Sequence, residues 1–269
     1  MAATMPELPE VEIIVRGLRG PLVGRTFTGV TVRWPNSVKT PVPELQATLP
    51  GQTIEQITRR AKYLWFHLSG GDSLFLHLKM SGDLLVLPVT EPDDPHVRTI
   101  FDLDNDHQLR FKDTRKFGRV YLVRNPNAVI GRLGPEPLAD DFLPADFAAL
   151  FARRRGRLKP LLLNQKFIAG IGNIYADESC FAAGLDPRRT ADTLSADDLG
   201  RLYHAIRQAL TAGIVHKGAS LDSVYRGGEF QNHFRVYGRT GQPCLRCGAE
   251  IQRVVLGGRS THFCSTCQR

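Results

Sequence analysis

The chain has no apolar run near the ~20 residues that a membrane-spanning helix needs, so a helical membrane protein is excluded. Its first residues, MAATMPELPEVE, lack the basic stretch followed by an apolar one that marks a secretory signal. The expected address is therefore cytoplasmic. Internal repeats and low-complexity segments are absent. Cysteine is sparse, five residues in 269, and in a reducing compartment such thiols point to a metal or to free thiols rather than to disulfides. Acid is in deficit. Asp and Glu number 27 against 35 Lys and Arg, a formal charge of +8. That balance favours a polyanionic partner, nucleic acid above all, against the plainer reading of a solvated basic surface.

Hydrophobic residues make up 42%, enough for a core, and the length suits two modest domains. PEVEIIVRGLRG, from Pro9, sets Val11, Ile14, Val15 and Leu18 at helical spacing, with Gly20 as a stop. From Thr26 to about Val123 short β-rich runs follow: TFTGVTVRW, YLWFHLSG, SLFLHLKM, DLLVLPV, RTIFDLD, HQLRFKD and GRVYLVR. Turn residues separate them, which predicts an antiparallel β-sandwich. GPEPLADDFLPADF, from Gly134, reads as a linker. ADFAALFARRRGRLKPLLLNQ, NIYADESCFAAGL and SADDLGRLYHAIRQALTAGIVHKG read as helices, the last capped by Asp192 or Ser195.

Cys244-Leu-Arg-Cys247 and Cys264-Ser-Thr-Cys267 are two CxxC pairs with sixteen residues between them. Four thiolates make a closed tetrahedral Zn²⁺ site, structural because no position is left for water. So small a unit depends on its metal to fold. Cys180, within SCFAAG, reads as a buried apolar thiol. Gly257-Gly258 forms a hairpin turn and puts Arg259 at its tip. There the guanidinium is either a phosphate ligand or a solvated charge.

Gly170 and Gly172 precede a helix that starts near Asn173, whose side chain either caps the helix or reaches a phosphate. Upstream, RRRGRLKP gathers Arg153, Arg154, Arg155, Arg157 and Lys159, and the combination is a candidate clamp on duplex DNA. In the β-rich half, RRAKYLWF sets Lys62 in an apolar strand where alternation turns it inward. HLKMSG puts Met80 before a turn, and DTRKFG puts Arg115 and Phe117 in another. Apolar side chains on turn tips beside an arginine fill the gap that an extruded base leaves. The alternative is that Met80 and Phe117 are core.

Together MPELPEVE, RRAKYL, HLKMSG, DTRKFG, LGPEPL, GIGNIYADE, VYGRTGQPC and the paired CxxC motifs, in that order from Met5 to Arg269, resemble the formamidopyrimidine-DNA glycosylase family of helix–two-turn–helix base-excision enzymes. The resemblance implies an α+β, multidomain chain. A catalytic β-sandwich with an N-terminal helix spans 5–133 and a linker spans 134–144. A helix–two-turn–helix DNA-binding domain spans 145–233, and a four-cysteine zinc finger spans 234–269. It implies a monomer acting on damaged double-stranded DNA held between two domains. The protein would carry one structural Zn²⁺, no organic cofactor and no membrane attachment, and would join the nucleoid when bound.

The resemblance also implies the chemistry. Pro6, freed as an N-terminal secondary amine, is the nucleophile that forms an iminium. Glu7 is the general acid/base, with Glu10 and Glu12 supporting it or opening the helix. Lys62 contacts the lesion and serves β-elimination; Arg259 contacts phosphate and serves the second elimination. Met80, Arg115 and Phe117 are insertion residues. Lys159, Asn173 and, more loosely, Arg154 contact phosphates. Oxidised purines, formamidopyrimidine and 8-oxoguanine, are the implied lesions, and PELPE with Met80 leans that way against the oxidised pyrimidines of an endonuclease VIII.

Three features depart from the pattern. MAAT precedes Met5, and with Met1 as the start the Pro6 nitrogen is an amide and the iminium route closes. The expectation is a working protein that begins at Pro6, with trimming, or a non-catalytic damaged-DNA-binding protein, as alternatives. PDDPHV has Asp94 where the family carries a first histidine and keeps only His96 as a DNA-contacting imidazole. Residues 218–234, which cover the extruded lesion in the family, look short, which favours ring-opened purines or oxidised pyrimidines over 8-oxoguanine. A more distant rival, an RNA-binding zinc protein, predicts no preference for damaged DNA and no need of Pro6 or Glu7.

Overall fold

The computed structural model describes residues 5–221 and 227–269. The MAAT start and the middle of the 218–234 segment, on which two of the expectations above rest, lie outside them. Two compact units emerge. One holds Pro6 and Glu10–Arg132. The other holds Glu7–Pro9, Leu133–Ala219 and Gly228–Arg269.

Helix α1 (Leu8–Leu22) sends Val11, Val15, Leu18 and Leu22 into the core at intervals of four, three and four, one apolar stripe of a 3.6-residue period. It runs past Gly20, the expected stop, because the left-handed turn comes only at Gly24, with φ 84°. Then follow β1 (Phe27–Val32), α2 (Val42–Thr48), β2 (Ile54–Arg60), β3 (Tyr63–Leu68), β4 (Ser73–His77), β5 (Gly82–Pro88), β6 (Val97–Leu103), β7 (His107–Asp113), β8 (Arg119–Val123) and the short α3 (Asn127–Ile130). The strands form two four-stranded antiparallel sheets, ordered β1-β6-β7-β5 and β2-β3-β4-β8. Alternation decides what enters between them: in β3 Leu64, Phe66 and Leu68 are buried and Tyr63, Trp65 and His67 face the other way. The expected sandwich is therefore present, with one strand more than the seven runs. β2 escapes the alternating pattern because a bulge between Ile54 and Gln56 sets Ile54 and Ile57 on one face although they are three apart.

The second unit carries α4 (Pro144–Phe151), α5 (Leu158–Leu163), α6 (Asn173–Ala183), α7 (Ala196–Val215) and the hairpin β9 (Gln252–Leu256) and β10 (Arg259–Phe263). Residues 145–165 read as one helix but fold as two. Arg153 takes φ 60°, and the intervening chain pairs with 189–191 through Leu158 N–H to Arg189 O and Ala191 N–H to Gly156 O. Helix α7 is capped by Ser195, whose hydroxyl accepts from Asp198 N–H at 3.1 Å while the Asp198 carboxylate accepts from Ser195 N–H at 3.0 Å. The proline-rich 134–144 segment is tied down, its Pro137 and Ala139 carbonyls accepting from the Arg207 guanidinium at 2.8 and 2.9 Å. No helix among the described residues is long and apolar enough to cross a membrane.

Candidate active site and metal centre

The first amides of α6 have no partner within the helix and need an acceptor. Glu7, 3% exposed, supplies it: its carboxylate accepts from Ile174 N–H at 3.0 Å and from Tyr175 N–H at 3.4 Å. The helix dipole adds to the attraction. Two glycines make the approach possible. A Cβ at Gly172 would lie 2.2 Å from Cδ of Glu7, and one at Gly170, itself at φ 86°, would lie 2.6 Å from Cδ1 of Leu8. Leu8 N–H donates to the Gly170 carbonyl at 3.1 Å, fixing the next residue as well. The spacing offered this helix start to a phosphate; the acceptor seated there is the chain's own carboxylate. Asn173 accordingly makes no cap.

In the first unit Lys62 belongs to no strand. It sits with Ala61, φ 54°, in the two-residue turn between β2 and β3, yet is 4% exposed. Beside it stands a residue the sequence reading passed over. His77, 7% exposed, accepts from Lys79 N–H through Nδ1 at 3.0 Å, so the neutral ring carries its proton on Nε2. Burial, then Lys79, Lys62 and Arg119, hold its imidazole well below the usual range. A histidine ringed by cations and kept neutral offers an N–H donor where an anion is favoured.

The two tip turns share one anchor, also unread in the sequence. Asp113, wholly buried, accepts from the Ser81 hydroxyl of the Met80 turn and from the amides of Arg115 at 3.2 Å and Gly118 at 2.6 Å. Met80 is half-buried, whereas Phe117 is 45% exposed with the Arg115 guanidinium 5.1 Å from its ring centre. The core reading of Phe117 is thereby excluded. Asp113 N–H also donates to the His96 carbonyl, so exposed His96 borders these turns. Asp94 is paired with Lys112, whose bond, with that of the His96 amide, holds the carboxyl below its usual range.

In the second unit Asn173, Tyr237 and Arg259 converge. Asn173 Nδ2 donates to Ser260 Oγ at 3.2 Å. Burial lifts the Tyr237 phenol above its usual range; the neighbouring Asn173 amide and Arg259 charge oppose the rise. Tyr237 is held in turn by Glu178, which accepts from the amides of Arg235, Val236 and Tyr237 at 2.8–3.1 Å. Arg259 is the exposed first residue of β10, after a turn in which Gly257 and Gly258 have φ 55° and 74°. Lys159 requires a correction. It is wholly buried, paired with Asp177 at 2.6 Å, and donates to the Ser260 carbonyl at 2.5 Å, so it meets no phosphate and braces Ser260 instead. Arg154 stands elsewhere, exposed, 5.9 Å from the Phe167 ring, beside Arg153 and Lys166 around a 320 Å³ hollow.

The four sulfurs of Cys244, Cys247, Cys264 and Cys267 lie within 4.8 Å of one another, with Cys244–Cys267 at 3.9 Å and Cys247–Cys264 at 3.5 Å. A tetrahedral zinc with bonds of about 2.3 Å sets its sulfurs about 3.8 Å apart, so the residues fit one structural Zn²⁺. Cys180 is wholly buried, and burial pushes its thiol up.

Residues 5–120 match the family model described as formamidopyrimidine-DNA glycosylase N-terminal domain, 133–224 its H2TH domain, and 241–269 a zinc finger found in FPG and IleRS. A formamidopyrimidine-DNA glycosylase of Herpetosiphon aurantiacus is 46% identical over 98% of this chain and 100% of the relative. One of Chloroflexus aggregans is 46% identical over 98% of each. The Lactococcus lactis Fpg in complex with abasic-site DNA superposes with a TM-score of 0.92 at 35% identity, over 98% of this chain and 99% of that one. The same enzyme with Fapy-dG DNA gives 0.92 at 35%, over 98% and 100%.

Proposed function

We propose a mechanism on this premise: the chain belongs to the formamidopyrimidine-DNA glycosylase family and is a DNA glycosylase acting on damaged DNA. The reading is a monomeric base-excision enzyme with abasic-site lyase activity, directed at oxidised purines and needing no organic cofactor. What carries it is the seating of Glu7 on the Ile174 and Tyr175 amides. That seating fixes a carboxylate one residue from the nitrogen of Pro6. Given a free amine, Pro6 attacks C1′ of the damaged nucleotide with its lone pair. The glycosidic bond breaks and its electron pair leaves with the base, which takes up a proton. Glu7 takes the N–H proton from the Pro6 nitrogen and passes it to O4′ as the C1′–O4′ bond opens, and the freed nitrogen lone pair forms the iminium. The iminium acidifies C2′–H, and loss of that proton expels the 3′-phosphate; a second elimination expels the 5′-phosphate.

Lys62 and His77 supply a cationic, N–H-donating surface to the lesion strand. Asn173, Tyr237 and Arg259 bind phosphate. Arg115 and Phe117, with Met80, plug the duplex. Zinc, when bound, only holds the finger hairpin that bears Arg259.

Borohydride reduces an iminium to a stable amine. Trapping on a duplex with 8-oxoguanine or formamidopyrimidine opposite cytosine should yield a protein–DNA adduct that mass spectrometry places on an N-terminal Pro6. Protein that retains residues 1–5, with Pro6 acylated by Met5, should give none. An adduct on another residue, or none from a chain that begins at Pro6, would overturn the mechanism. Parallel turnover on an oxidised-pyrimidine duplex decides the lesion class.

A further inference from the structure

Arg259 has an exposed side chain, follows a two-glycine turn and is registered across the hairpin against Leu256. The restraints that come from the helices fall on the residues after it. Asp177, on α6 and wholly buried, pairs through Oδ1 with Lys159 Nζ at 2.6 Å. Its Oδ2 accepts from the backbone N–H of His262 at 2.9 Å and from Nδ1 of the same residue at 3.0 Å. Lys159, from α5, reaches on to the Ser260 carbonyl, and Asn173 reaches the Ser260 hydroxyl. Ser260 and His262 therefore present one face of β10 to the two helices. Side chains alternate along a strand, so Arg259 must leave by the other face, and a slip of one residue would reverse it.

A buried ionic cluster is a poor device for stability alone. Well-packed apolar residues of similar volume often do as well or better, whereas paired charges admit one geometry.

We infer that His262 and Asp177 are positioning residues that clasp β10 and aim the Arg259 guanidinium at the phosphate it binds. This rests on the role given to Arg259 above. The test is a double-mutant cycle with intact, zinc-loaded protein on a duplex carrying a preformed abasic site, reading the single-turnover rate of the second elimination. His262→Phe keeps a ring against Tyr237, 5.0 Å away, and loses the side-chain donor to Asp177 while the backbone N–H remains. It should slow that step about tenfold, the effect of losing one charge-assisted hydrogen bond. His262→Asn, which returns a donor near the place of Nδ1, should restore most of the rate. In an Arg259→Ala background His262→Phe should cost less than about twofold further, because a clasp that acts through Arg259 has nothing left to aim. An equal loss with and without Arg259, or no rescue by asparagine, overturns the clasp and leaves a packing role. Arg259→Ala with an undiminished second elimination overturns the assignment of Arg259 itself, a different result.

Discussion

His77 is a buried base surrounded by fixed positive charge, and its titration sets a pH window. Burial and the charges of Lys79, Lys62 and Arg119 hold its folded value well below the usual one, while the unfolded chain binds its proton near pH 6.5. Below about 6.5 the unfolded state takes up a proton that the folded state refuses, so stability falls as pH falls. Above it both forms are neutral and the contribution is flat. The slope from this one group approaches about 1.4 kcal/mol per pH unit in that window. Denaturant unfolding at pH 5 and pH 7.5 should show a smaller pH-dependent loss in His77→Gln, which keeps an acceptor for the Lys79 amide. An unchanged difference would mean that His77 is protonated in the fold. Neither His77 nor the true place of Lys159 was legible in the sequence. Two of the three cations around His77, Lys62 and Arg119, come from other segments, and the acid paired with Lys159 lies eighteen residues on, at Asp177. Linear neighbours made Lys159 look like one more member of a basic patch; its real neighbour is fixed only by packing.

The contact between Glu7 and α6 has the character of a capping interaction supplied from a distant part of the chain. It depends on the absence of a single methyl group. Gly172 has φ −127°, which any residue adopts, so the strain of alanine there falls first on Glu7, which holds the three atoms nearest to the new Cβ, with Cδ at 2.2 Å. Gly172→Ala should displace the carboxylate and lower single-turnover excision of formamidopyrimidine by about 10²–10⁴, the usual share of a general acid/base. Loss of the cap should cost about 1 kcal/mol in stability. DNA affinity should change little, because Asn173 and Arg259 are untouched. Excision at the parental rate would show that Glu7 does its work from another position. The sequence showed the two glycines and the helix start, but not the occupant, since 165 residues separate Glu7 from Gly172. Strands with clean alternation were legible as well. β2 was hidden by its bulge, and the break between α4 and α5 by a left-handed Arg153 that no residue-type preference announces.

Across the whole molecule the two units differ in what holds them. In the first, α1 and the strands share a core that includes Val11, Phe27, Phe66, Phe101 and Phe111 and draws nothing from the finger. The finger's own cluster is Val236, Cys244, Ile251 and Cys264, two of them metal ligands, packed against Phe181 of α6. Burial of so little apolar surface does not offset the ordering of some thirty residues, so the metal must supply the difference. Here the sequence was fully informative, because CxxC spacing encodes a geometry that packing need not complete. Both tryptophans, Trp34 and Trp65, lie in the first unit, and their emission reports on it alone. Chelation at neutral pH, or Cys247→Ala, should therefore abolish binding to an abasic-site duplex and remove the β9–β10 hairpin signals from an NMR spectrum, while tryptophan emission and its denaturant midpoint stay put. A red shift that tracks metal loss would mean that the sandwich depends on the finger. Full DNA affinity after metal loss would mean that the hairpin, and with it Arg259, does not bind phosphate.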